Sequence, residues 1–144
     1  MSPPEGSQSL LAFAAAESEA VARQLVARIN AHDLEGLLAL CVPDVVLTDA
    51  LGRHVHGRES VGKAWRFYFE LFPDYRIDVV ESLSAGGLVA LFGRAFGTLA
   101  SASDPREAWW SIPAAWRVKV AGGLVAELQV YADNKPVYEI LATR

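Results

Sequence analysis

Residues 47–57, LTDALGRHVHG, bring one acid, Asp49, and two histidines, His54 and His56, into a single short stretch. These residue types suit proton transfer, with the carboxylate as base and an imidazole titrating near neutrality. Two readings of Asp49 are open. At the mouth of an apolar cavity its pKa would be raised and it could abstract or shuttle a proton. At the end of a strand it would cap the ALG turn that follows. His54 and His56 are two positions apart, so on an extended segment both point the same way. They could form a relay with Asp49, or stand as a structural or solvated pair. A metal needs three or four ligands, and the one further histidine is His32 at a helix end. No metal and no cofactor are expected.

Other candidates lie further along. Trp65, Tyr68, Phe69, Phe72, Trp110 and Trp116 read first as core, and Tyr68 alone among them has a hydroxyl that needs a partner if buried. Arg94 interrupts the apolar run ALFGRAFG. Facing inward it would bind an anionic or carbonyl oxygen; facing outward it would pair with an acid on the sheet back. Gly93 and Gly97 permit a bulge, so alternation leaves its direction open. Cys41, in LLALCV, reads as a buried, inert thiol, and Asp133 reads as a helix cap.

Composition narrows the class. A chain of 144 residues with 52% hydrophobic and 10% aromatic content can bury the core of one domain. The net charge of -4, with basic residues scattered, argues against a nucleic-acid surface. A single cysteine excludes an internal disulfide. The first residues imitate a signal peptide but carry Glu5 and no Lys or Arg, and no apolar run approaches a membrane span. The expectation is a soluble, cytoplasmic protein, with no membrane partner, a loose tail over residues 1–9 and one domain over 10–144.

The elements that must position these residues follow from periodicity. Val21, Leu25, Val26 and Ile29 form the stripe of a first helix over 10–31, and Asp33 can cap a short second one. DVVLTD is a strand rich in β-branched residues. In GRESVGKAWRFYFELFP, Val61, Trp65, Tyr68, Phe69 and Phe72 share one helical face, and Pro73 ends it. YRIDVVESLSA, GLVALFGRAFGTLAS, EAWWSIPAAWRVKV and LVAELQVY read as four long antiparallel strands. In the last two, Trp116, Val118, Leu128 and Val130 turn toward the helices, and Arg117, Lys119, Glu127 and Gln129 turn away. The predicted fold is α+β: N-terminal helices on a curved antiparallel sheet.

INAHDLEGLLALCVPDVVLTD, HGRESVGKAWRFYFELFPDYRIDV, GGLVAELQVYAD and PVYEIL together make the chain resemble the nuclear transport factor two-like superfamily over residues 17–142. The middle stretches look most like its SnoaL-like branch, which includes polyketide cyclases beside the ketosteroid isomerases. The resemblance implies a cone-shaped fold enclosing a pocket, with Asp49 at the general-base position of the isomerases. It also implies that Trp65, Tyr68, Phe69, Phe72, Arg94, Trp110, Trp116 and Val130 contact the ligand. It equally exposes what is missing. The isomerase oxyanion-hole tyrosine falls on Leu25 and its protonated acid on Trp116, a pairing that serves as a standard example of a carboxylic acid held neutral by its site. The cyclase aspartate falls on Val130 and its assisting histidine on Trp116. An epoxide hydrolase set would need a second inward acid beside Asp49 and Arg94.

The expected function is therefore to bind a hydrophobic small molecule. Any catalysis would be proton transfer by Asp49, of isomerase, cyclase or hydrolase type. A non-catalytic binding or assembly module is the competing class. A homodimer is also expected, because the sheet back mixes Trp109, Ala115 and Tyr131 with charges of both signs.

Overall fold

The structure, a computed structural model, describes residues 5–143. Its elements run α1 (Glu5–Asn30), α2 (Leu34–Ala39), β1 (Cys41–Thr48), β2 (His54–His56), α3 (Arg58–Leu71), β3 (Arg76–Ala85), β4 (Leu88–Thr98), β5 (Trp109–Ala121), β6 (Leu124–Ala132) and α4 (Lys135–Leu141), with a single 3-10 turn at Pro105–Glu107. Of the tail expected over 1–9, residues 1–4 lie outside the described residues, and 5–9 belong to α1.

Local signals place most of these elements. Val21, Leu25 and Ile29 are buried along one face of α1. Asp33 caps α2, its carboxylate accepting from Gly36 N at 2.9 Å; a Cβ at Gly36 would fall within 2.2 Å of that same carboxylate. On α3, Val61 and Trp65 are buried, and the helix stops at Leu71, two residues before Pro73, which could not continue it.

The strands form one six-stranded sheet in the order β2-β1-β6-β5-β4-β3. It is mixed rather than wholly antiparallel. β3 to β6 form the expected antiparallel meander, but β1 pairs with β6 in parallel, Leu47 opposite Leu128. The reason is topological. After β1 the chain turns through β2 and α3 and enters the sheet at its far edge, then works back strand by strand, so β6 arrives beside β1 running the same way. α1 lies across the sheet front over β3, β4 and β5. Val89, Leu91 and Val118, at most 1% exposed, meet it there, and each such burial is worth about 1.5–3 kcal/mol. Front and back follow alternation: Trp116, Val118 and Leu128 are buried, while Arg117 and Lys119 pair with Glu127 on the back.

Candidate functional site

The cone is hollow. A cavity of about 410 Å³ lies between the sheet front, α3 and α4. Its emptiness comes from small residues at facing positions. Ala114 is directly across from Ala132 in the β5–β6 ladder, and Ala95 stands on the neighbouring strand, so the middle of the front face has little side-chain volume. Gly97 is small for another reason. A Cβ there would come within 3.1 Å of both Phe72 and Trp110, which meet edge to face with ring centroids 5.2 Å apart.

Trp65, Tyr68, Trp110, Trp116 and Val130 stand in the cavity wall. Three residues named with them stand elsewhere. Phe69 turns aside and stacks on His32, with centroids 4.1 Å apart and planes 14° from parallel. Phe72 is fully buried beneath Gly97 and supports Trp110 and Tyr68 from behind. Arg94 faces the sheet back, where its guanidinium donates to Ser111 Oγ at 3.0 Å and to the Ser111 carbonyl at 3.2 Å. The irregularity that left its direction open falls in β3, between Val79 and Glu81, so β4 alternates without a break and Ala95 takes the inward place. Gly93 accommodates that bulge, since a Cβ there would meet the Asp78 carbonyl oxygen at 1.8 Å.

Asp49 lies at the rim, in the cavity wall and in the turn at once. Its Oδ1 accepts from the backbone N–H groups of Leu51 and Arg53, both at 2.9 Å, and its Oδ2 from Arg53 Nε at 2.7 Å. Partial burial is the largest single influence and pushes its pKa up. The hydrogen bonds from Arg53 and Leu51 and the Arg53 charge together outweigh it, so the net shift is downward. The raised value expected of a cavity acid is thus reversed, because both oxygens are engaged by donors. Near it, Ala50, Ala132, Asn134 and Tyr138 border both the cavity and a shallow outer cleft, which marks the mouth between the β1–β2 turn and α4.

His54 and His56 are exposed on β2. The His54 Nδ1 pairs with Thr48 Oγ1 at 2.8 Å, and neither ring hydrogen-bonds to Asp49 among the described residues, so the relay is not assembled. The described residues hold no group of three or more His, Cys, Asp or Glu able to ligate a metal. Cys41 is buried, and desolvation pushes its thiol up to about 11, against the smaller opposing effect of the Arg58 charge. Asp133 accepts from the Lys135 N–H at 3.0 Å at the start of α4, as a capping acid does.

Sequence reasoning passed over Tyr75, which is buried and reaches the cavity wall. A signal existed: residues 61, 65, 68, 72 and 75 continue one helical spacing, and Tyr75 prolongs it past Pro73 because a turn holds it, its N–H donating to the Phe72 carbonyl at 2.9 Å. Arg53, Asn134 and Tyr138 were also passed over. Their places depend on how the β1–β2 turn and α4 meet at the rim.

Residues 22–128 match the family model of the SnoaL-like domain. No curated protein sequence matches the chain. Among solved structures, the chain is similar to a protein from a Jannaschia species named for the SnoaL-like polyketide cyclases, with TM-score 0.77, 18% identity, and 90% of this chain and 94% of that one covered. It is similar to a nuclear transport factor two-like protein from Burkholderia xenovorans, with TM-score 0.70, 17% identity, and 88% and 96% covered. A third similar structure is a protein of ketosteroid isomerase-like fold from Catenulispora acidiphila in complex with trimethylamine, with TM-score 0.68, 18% identity, and 77% and 83% covered. At these identities the likeness establishes a common fold. No helix among the described residues is long and apolar enough to cross a membrane.

Proposed function

This chain belongs to the SnoaL-like domain family, and we propose that its hollow cone binds a hydrophobic small molecule. The observation that carries this reading is the cavity itself. Its volume of about 410 Å³ suits a small cyclic compound, and its wall is mainly aromatic and aliphatic, with Asp49, Arg53 and Asn134 as its few charged or amide groups. A folded chain gains nothing from leaving such space dry and empty, since unfilled volume forfeits packing. A ligand that fills it recovers that loss.

Proton transfer by Asp49 is the second reading, supported by its place in the wall. It ranks second because a carboxylate whose two oxygens already accept three hydrogen bonds is a weakened base.

The test is thermal: ligands that bind only the folded state raise its melting temperature. Hydrophobic ketones and lactones are expected to raise that of the wild type and to leave Ala114→Leu, which fills the cavity centre, unmoved. A panel without effect on the wild type, or with equal effect on a folded Ala114→Leu variant, overturns the reading.

A further inference from the structure

His54 and His56 have no part in the cavity. Arg53 and Val55 line it, so by strand alternation His54 and His56 face the other way, onto the sheet back. Both are exposed. The register agrees: His54 is opposite Thr48, which is level with Gln129 of β6, two residues from Glu127 on the back. The two ring centres are 6.0 Å apart, with planes at 56°. His54 does not swing freely. Its Nδ1 is tied at 2.8 Å to the hydroxyl of Thr48, itself only 6% exposed, so Nε2 is the nitrogen left free. The His56 ring has no hydrogen bond among the described residues. Arg53 and Arg58, which flank the strand, are drawn away to Asp49 and to the Cys41 carbonyl.

A buried hydroxyl spent on an exposed imidazole adds little to a strand of three residues. It is, however, how a ligating histidine is oriented: a neighbour holds one ring nitrogen, which fixes the tautomer and frees the other. Two such rings on one strand face form a chelate. An ion bound by each ring at about 2.0–2.1 Å brings the ring centres to roughly 5 Å, within a small turn of His56. Imidazole suits late first-row divalent ions, copper(II) above nickel(II) and zinc(II), whereas magnesium and calcium require oxygen. We propose that His54 and His56 chelate a late transition-metal ion, copper(II) most tightly. Nε2 of His54 and one ring nitrogen of His56 are its ligands, Thr48 is the positioning residue, and water takes the open positions. With only two protein ligands this is an open chelate rather than a closed site of three or four. It faces away from the cavity and stands apart from the proposed function.

Calorimetric titration with copper(II), zinc(II) and magnesium(II) tests the site on the wild type, His54→Gln, His56→Gln and their double variant. Thr48→Val and Thr48→Ser test the positioning role, and the copper EPR spectrum counts the nitrogens bound. The wild type is expected to take one copper per chain on two nitrogens, with zinc weaker and magnesium without effect. Thr48→Val should weaken copper binding about 10-fold, the lower end for an outer-shell partner, and either histidine replacement should weaken it further. Thr48→Ser, which keeps the hydroxyl, should bind as the wild type does. Undiminished copper binding by the double variant places the metal elsewhere and overturns the proposal. So do single variants that each keep the wild-type affinity, a one-nitrogen spectrum, magnesium binding as tight as copper, or no copper binding at all. Unchanged affinity in Thr48→Val overturns the positioning role.

Discussion

The Asp49 carboxylate lies 2.7 Å from the Arg53 guanidinium and accepts the Arg53 backbone N–H at 2.9 Å as well, so one residue engages both of its oxygens. The strand-end acid that the sequence marks as the best candidate base is thereby also the keystone of the β1–β2 turn.

Asp49→Asn should therefore lower stability as well as abolish any proton transfer. A loss of about 1 kcal/mol is expected, below the range for buried charged hydrogen bonds because 39% of the side chain is exposed. The pH dependence has a fixed sign. The folded pKa lies below the ordinary value of 3.8, so the contribution is complete above that value and is lost as pH falls through the folded one. Denaturation of the two proteins should differ at pH 6 and converge in strong acid. Equal stability at pH 6 would exclude the turn role, and full turnover by Asp49→Asn would exclude the catalytic one.

Gly93→Ala tests the register that turns Arg94 outward. The added Cβ would meet the Asp78 carbonyl oxygen, a backbone atom in the β3 bulge that cannot move alone. A cost of about 1–3 kcal/mol is expected from this overpacking. A chemical-denaturation midpoint equal to that of the wild type would contradict the close approach of β3 and β4.

The back of the sheet carries a third prediction. Phe92, Ala115 and Tyr131 are neighbours across β4, β5 and β6, and Trp109 projects from the same face, 57% exposed. Arg117, Lys119 and Glu127 lie beside them with both signs of charge. We propose that two copies meet through this face about a two-fold axis, where aromatics are favoured and mixed charges can pair. Sedimentation at micromolar concentration should give a dimer mass, and Trp109→Glu should give a monomer. A monomeric wild type, or a fully dimeric variant, rejects the face.

Some of this molecule is readable without coordinates because its causes are local. The spacing of Val61, Trp65 and Tyr68 follows the helix turn, the alternation from Trp116 to Lys119 follows the strand pleat, and the Asp33 cap spans three residues. These decide which elements exist and which faces are apolar.

What the tertiary structure decided depends on groups far apart in the chain. The parallel pairing of Leu47 with Leu128 is set by the whole route between them. The direction of Arg94 is set by a bulge in the neighbouring strand, and the hollow by Ala114 meeting Ala132 across a ladder. The role of Asp49 lies within four residues of its partner, yet even this needed the turn: an acid four residues before an arginine is free or engaged according to how the backbone brings Arg53 around. A residue's type is local information, whereas its partner and the space before it are fixed by packing the whole chain at once.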